Sequence, residues 1–234
     1  MLPQLLAGFD WTTPFIADAC LMLELPVRVG SYGLKPLIAG TKVAGPACPA
    51  RHAGSTDVFL EAIAAASPGD VLVIDNTGRH DEGCVGDLVA AEAHVAGLAG
   101  LVVWGAHRDS AAIEAIGVPL WSLGTCPNGP LELRERSRHA LEAASIGHHV
   151  TVTKNDIVFA DVDGVVIVAA AQVSRVIAAA KDIATREGAQ ATRLLAGNRL
   201  WDQLQVKNFV AKRKEDPAYT FRAHLKTLGA AIEI

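Results

Sequence analysis

The stretch Val71–Asp109, VLVIDNTGRHDEGCVGDLVAAEAHVAGLAGLVVWGAHRD, decides the fold. Val71–Asp75 is an apolar run rich in β-branched residues, the pattern of a strand buried on both faces. Asn76–Val85 is polar and glycine-rich and reads as a loop. Gly86–Gly97 is alanine-rich, with Leu88, Ala91, Val95 and Leu98 at helical spacing, and Gly97 and Gly100 bring the helix to an end. Leu101–Trp104 is a second buried strand, with Gly105-Ala106-His107-Arg108-Asp109 directly after it. Strand, helix, strand in this order predicts a βαβ unit. Ligands of open α/β sheets collect outside the carboxyl ends of the strands. The loop before the helix and the Arg108-Asp109 pair both belong to that edge.

The chemistry available there is specific. A helix starting near Gly86 presents unpaired backbone N–H groups, which attract a carboxylate or phosphate, and glycine lets such an anion approach closely. Arg108 supplies a planar donor fork suited to gripping a carboxylate at two points. Asp109 is a hard oxygen ligand suited to Mg²⁺ or Mn²⁺. Asp87 either holds a water or acts as a base. A purely structural arrangement fits the same residue types: Arg108 braces Asp109 or Asp87, and Gly86 only turns the chain.

Asp87, twenty intervening residues, then Arg108-Asp109 is a D-x20-R-D spacing. In this the chain resembles the class II pyruvate aldolases, which cleave 4-hydroxy-4-methyl-2-oxoglutarate or 4-carboxy-4-hydroxy-2-oxoadipate and share a family with the regulator of ribonuclease activity A proteins. PGDVLVIDNTG at Pro68–Gly78, IGVPLWSLGTCP at Ile116–Pro127 and NDIVFADVDGVVIV at Asn155–Val168 are similar to the same family. The likeness extends from about Gly45 to about Gly197. It implies a swivelling β/β/α domain, a layered sheet with flanking helices, assembled as a homotrimer or hexamer. It also implies a divalent-metal-dependent lyase that releases pyruvate by retro-aldol cleavage, with oxaloacetate decarboxylation as a side activity. By resemblance the substrate carboxylate sits on the Gly86, Asp87, Leu88 and Val89 backbone and on Arg108. Asp109 anchors the metal, Asp87 positions a water, and Glu187 from a neighbouring subunit completes the site. One departure stands out. The aldolase motif continues R-D-x2-E/D, and the chain has Ala112 at that position. This favours the alternative of a non-catalytic binding protein like the ribonuclease regulators; a family member acting on a different 2-oxo acid is the third reading.

The rest of the chain sets the frame. It has 234 residues, half of them hydrophobic and 20% charged, enough for a sizeable core and suited to one domain spanning 1–234. A formal net charge of −4 gives no general attraction for nucleic acid or an anionic membrane surface. No apolar run reaches the roughly 20 residues that cross a bilayer. Cys20, Cys48, Cys84 and Cys126 are widely spaced, without a C-x2-C pair, so neither zinc nor a disulfide framework is indicated. With no export signal, a cytoplasmic location is expected.

Outside the central unit, Thr12-Thr13-Pro14 predicts the capped start of an N-terminal helix within about 10–25. Leu37–Pro49 reads as a strand, Asp57–Ala66 as a helix, and Ser67-Pro68-Gly69-Asp70 as the turn into the central strand. Cys48 reads as a small buried residue. In the loop, His80, Asp81 and Glu82 read as solvated, whereas His107 is expected on the edge of the site and His94 on a helix. Ser110–Ile116 is a short helix, Val118–Leu123 a strand, and Leu131–Ala144 a solvent-facing connection. His148–Val152, Ile157–Phe159 and Val165–Val168 are β-rich, with Asp161 and Asp163 marking a turn at Gly164. Ala170–Leu195 is a long helix carrying Glu187, and a helical tail of about 198–234 carries Lys207, Lys212, Arg213 and Lys214 on an exposed face.

Overall fold

The computed structural model describes residues 2–229. In chain order the strands are β1 Arg28–Val29, β2 Lys35–Pro36, β3 Val43–Arg51, β4 Val71–Asp75, β5 Gly83–Val85, β6 Gly100–Trp104, β7 Ala106–His107, β8 Leu120–Ser122, β9 Ala143–Ser145, β10 Thr151–Thr153, β11 Asp156–Ala160 and β12 Val165–Ala169. The helices are α1 Leu2–Leu6, α2 Thr13–Met22, α3 Asp57–Ala65, α4 Asp87–Val95, α5 Ser110–Ile116, α6 Val173–Leu195, α7 Leu200–Gln203, α8 Val206–Glu215 and α9 Phe221–Leu228.

The predicted βαβ unit is β4–α4–β6, the middle of an eight-stranded sheet of order β1-β12-β11-β3-β4-β6-β8-β2. Strands β3, β4, β6 and β8 are parallel neighbours. Each parallel step needs a crossover, and α3, α4 and α5 supply them. The two ends of the sheet are antiparallel: β11, β12 and β1 on one side, β2 on the other.

Strand alternation assigns the two faces. Leu72, Ile74, Leu101 and Val103 point toward α3, α4 and α5, where they pack with Phe59, Ala90 and Ile113. Val71, Val73, Val102 and Trp104 point the other way, into an inner core with Trp121, Ile146, Val152, Val158 and Ile167. The β9–β10 hairpin places Ala144 and Val152 in that inner core. In β11 and β12 the outward residues Ile157, Phe159, Val166 and Val168 pack on α2 and α6. The sheet therefore curls around one apolar core and carries helices outside, the β/β/α layering expected from the sequence. All five residues of β4 are buried, so truncating Ile74 to alanine would cost about 2–5 kcal/mol.

The N-terminal helix begins where its cap predicts. The Thr12 hydroxyl accepts the Phe15 N–H at 3.4 Å, and Pro14 lies in the first turn. Asp161 ties the helix to the sheet: its carboxylate accepts the Thr13 N–H at 2.7 Å and the Thr13 hydroxyl at 2.6 Å. Gly164, at φ +148, closes the turn between β11 and β12.

Several expectations change. The strand placed at 37–49 is β3, Val43–Arg51. The end of the loop, Gly83–Val85, is a strand, because Gly83 permits a close parallel approach to β7; a Cβ there would meet the Cys126 carbonyl at 2.6 Å. The connection 131–144 is not wholly solvent-facing, since Ala140 is buried and Ala143–Ser145 forms β9. A short helix, α1, precedes the predicted one. The tail is helical over α7, α8 and α9, and residues 230–234 of it lie outside the described residues.

Candidate active site

Two connections at the carboxyl edge of the sheet build the site, and a small ladder joins them. Strand β5 leads to Gly86 and α4; strand β7 leads to Arg108, Asp109 and α5. The two strands run parallel with Gly83 opposite Ala106 and Val85 opposite His107. The Arg108 N–H then donates to the Val85 carbonyl at 2.9 Å. This is why residues twenty positions apart meet: the ladder sets the start of α4 against the start of α5.

Gly86 is required by space. Its backbone is extended, yet a Cβ would run into Oδ2 of Asp109 and come within 3.2 Å of Nε of Arg108. Asp109 holds a left-handed backbone, φ +60 and ψ +37. For a non-glycine residue that conformation costs on the order of 1 kcal/mol, and such strain gathers at functional positions. Asp109 ends up with Oδ2 3.3 Å from Nε of Arg108, and both side chains are nearly half exposed. An ion pair so open to water contributes at most about 1 kcal/mol. The terminal guanidinium nitrogens of Arg108 make no hydrogen bond among the described residues, so the fork remains available to a ligand.

The two connections enclose a cleft of about 120 Å³ whose lining includes Thr56, Gly86, Asp87, Leu88, Val89 and Arg108. Beside it the Asp87 carboxylate accepts the Leu88 N–H at 2.8 Å, in the open. A substrate carboxylate at this helix start would compete with that contact. The cleft thus gathers five of the candidate residues, Gly86, Asp87, Leu88, Val89 and Arg108, with Asp109 adjoining it through Arg108.

Glu187 is elsewhere. It lies on α6, beside a separate depression of about 690 Å³ that includes Phe9, Phe15 and Lys181. Burial and, second, the Asp18 charge hold its carboxyl above the usual range. Within one chain it takes no part in the Arg108 cleft.

His107 is corrected. It is not on the open edge but buried, with Nδ1 2.8 Å from the Ser122 hydroxyl and Nε2 3.0 Å from the Ser110 hydroxyl. Burial pushes its pKa down, so it is a neutral brace between β8 and α5.

Glu82 is corrected as well. Its side chain is 2% exposed and meets Arg134 at 3.0 Å and Arg79 at 3.3 Å. Asp81 alone of the loop acids is solvated, paired with Arg79 at 2.8 Å. Asn76, fully buried, joins the cluster through Arg134 at 3.2 Å and His52 at 3.0 Å. This buried assembly fixes the loop ahead of β5. Sequence reasoning missed it, because Arg134 lies in a segment whose alternating charges look like any exposed helix or strap.

Cys48 and Cys84 are buried free thiols. Burial pushes the Cys48 thiol up to about 11 and Cys84 higher still. No group of three His, Cys, Asp or Glu side chains able to hold a metal occurs among the described residues. What the site offers a cation is Asp109, beside the cleft, whose carboxylate accepts no hydrogen bond among the described residues, and Asp87 on the cleft wall. One or two carboxylates and several waters is the habit of Mg²⁺ or Mn²⁺, not of zinc, so this donor set fits a hydrated hard cation. Ala112 of α5 is half-buried and has no ligating atom, and Glu114 is exposed.

Known proteins resemble the chain over most of its length. The RraA-like family model, Aldolase/RraA, matches residues 13–167. A Halalkalibacterium halodurans protein named "Putative 4-hydroxy-4-methyl-2-oxoglutarate aldolase" is 32% identical over 187 residues, covering 75% of this chain and 84% of that protein. The crystal structure of Streptomyces coelicolor RraAS2, an unusual member of the RNase ES inhibitor RraA protein family, is 27% identical with a TM-score of 0.69 and covers 80% of this chain and 96% of its own. The RNA-processing inhibitor RraA from Thermus thermophilis, at 22% identity, TM-score 0.58, 68% of this chain and 93% of its own, shares the fold.

Proposed function

Because the chain belongs to the RraA-like family, we propose that it is a divalent-metal-dependent lyase that cleaves a 4-hydroxy-2-oxo acid to pyruvate, with oxaloacetate decarboxylation as a second activity. The observation that carries this reading is the packing of Gly86 against Arg108 and Asp109. It leaves the terminal guanidinium nitrogens available beside a carboxylate that pairs only with Nε of Arg108, at a helix start.

In the proposed complex, Arg108 and the backbone N–H groups of Asp87 and Val89 hold the pyruvyl carboxylate, and the carboxylate of Asp87 gives up the Leu88 N–H to it. Asp109 holds Mg²⁺ or Mn²⁺, with Asp87 orienting a water. The cation, when bound, supplies Lewis acidity at the 2-keto oxygen. The C3–C4 bond then breaks: the C4 hydroxyl proton passes to the water held by Asp87, C4 leaves as a carbonyl compound, and C3 takes a proton from the same water. Glu187 of a neighbouring subunit in a homotrimer or hexamer is proposed to close the site over the substrate. Substrates of the 4-hydroxy-4-methyl-2-oxoglutarate or 4-carboxy-4-hydroxy-2-oxoadipate type represent the class.

Pyruvate release from oxaloacetate and 4-hydroxy-4-methyl-2-oxoglutarate, measured with Mg²⁺ and again with excess chelator, tests the reading. Metal-dependent release above the uncatalysed rate from either compound is expected; none from both would overturn it. Ala112 favours a second reading, a non-catalytic binding protein, to which that negative result would point.

A further inference from the structure

Two glycines flank the side chain of Arg108. Its stem runs along Gly86, where a Cβ would lie 3.2 Å from Nε and 3.4 Å from Cγ. Its far end runs along Gly129, where a Cβ would lie 2.9 Å from Nη1 and 3.7 Å from Cζ. Apart from the chain neighbours of Gly129, no other atom of the described residues comes within 4 Å of that position.

The fold does not ask for glycine at 129. Its φ lies outside the left-handed region, and no backbone or core side chain crowds it. Gly83 differs, because a Cβ there would meet the Cys126 carbonyl at 2.6 Å. A side chain at 129 would meet only the end of a flexible arginine. The loop that carries Gly129 is the stiffer partner. The His107 N–H donates to the Gly124 carbonyl at 3.0 Å, the Cys126 N–H to the His107 carbonyl at 2.8 Å, and the Gly83 N–H to the Asn128 carbonyl at 2.7 Å. Pro127 and Pro130 add two fixed φ angles. The loop is thereby tied to both strands of the β5–β7 ladder, and Nη1 has to give way first.

Resting on the carboxylate clamp proposed above, we infer that Gly129 is a positioning residue for Arg108. Its bare Cα leaves the seat for Nη1 and so holds the guanidinium fork at the wall of the cleft, which Pro130, next in the chain, also lines. A methyl group at 129 moves Nη1 by roughly half an ångström to reach ordinary contact. That shift is too small to disturb the core, yet it misaligns a grip that needs two N–H···O bonds in line at once.

The test is a double-mutant cycle between Gly129→Ala and Arg108→Lys in the full chain. The probe is oxalate with Mg²⁺, a planar stand-in for the pyruvate enolate, its Kd measured by calorimetry beside the melting temperature. In the parent background Gly129→Ala should weaken oxalate about 10-fold, with the melting temperature nearly unchanged. In the Arg108→Lys background there is no Nη1 to displace, and the same substitution should change the Kd by less than about 2-fold. Equal losses in both backgrounds, or no loss in the parent, would overturn the inference. The predicted cycle in a protein that releases no pyruvate from 4-hydroxy-2-oxo acids or oxaloacetate would overturn the lyase reading and uphold the inference. A parent chain that does not bind oxalate would overturn the clamp and the inference with it.

Discussion

The carboxylate of Asp109 occupies the space that a side chain at Gly86 would need. A Cβ on residue 86 would collide with Oδ2 of Asp109 and press on Arg108 within 3.2 Å of Nε. Gly86→Ala should therefore displace both functional groups at once. Displacements near 1 Å in a positioned site cost on the order of 100-fold in rate. The ion pair that is disturbed is nearly half exposed and holds little folding energy. A fall of about 100-fold in kcat/KM with a melting temperature within a few degrees of the parent is the expected result; a matched loss of both would mean that Gly86 serves the fold.

Asp109 allows backbone and chemistry to be separated. At φ +60, alanine is strained and glycine is not. Asp109→Gly should be more stable than Asp109→Ala by about 1 kcal/mol, while both lose metal-dependent turnover. Paired melting curves and chelator titrations check this, and equal stability of the two variants would show that the left-handed turn relaxes.

Arg108→Lys keeps the charge and loses the planar grip. With a bidentate pair to the substrate carboxylate, the change should cost about 2–4 kcal/mol of transition-state binding, roughly 30- to 1000-fold in kcat/KM. Kinetics and melting temperature are read on the same protein. Near-normal kinetics with lower stability would make Arg108 a brace for Asp109.

Stability should fall on the acid side of neutrality. Burial depresses the pKa of both His52 and His107 below the ordinary 6.5. The unfolded chain then binds the extra protons first. The stabilising contribution is complete above about pH 6.5 and is lost as pH falls from there through the folded pKa values. His107→Asn should flatten the slope of melting temperature between pH 7 and 5, and an unchanged slope would assign it to other groups.

Glu187 tests the shared site. If it reaches a neighbour's cleft, Glu187→Gln lowers kcat while light scattering still finds a trimer or hexamer. A monomeric parent at micromolar concentration would rule out a shared site of this kind.

Much of this was legible in the sequence, and the reasons are local. Strands β4 and β6 are continuous apolar runs, α4 has a helical period between glycines, and Thr12-Thr13-Pro14 marks a helix start; each signal is complete within a few residues. The meeting of the α4 start with Arg108-Asp109 followed from one rule, that both connections leave the same edge of a sheet. What stayed hidden depends on distant partners. Glu82 and Asp81 are adjacent acids, yet one is buried because Arg134, some fifty positions on, reaches it. His107 looks like a site residue by position and is a brace because Ser110 and Ser122 take both nitrogens. Gly83–Val85 has too few residues to show a period, and only β7 makes it a strand.

The β5–β7 ladder has a kinetic consequence. It staples the two arms of the cleft to each other, and the Glu82 cluster staples the preceding loop to the body beneath. Neither arm is free to swing as a lid. Ligand entry to the clamp should then proceed as a single-exponential process whose rate rises linearly with ligand concentration, without the plateau that marks a slow closing step. In such a rigid receptor, discrimination between ligands has to be expressed at departure, through how long each one stays.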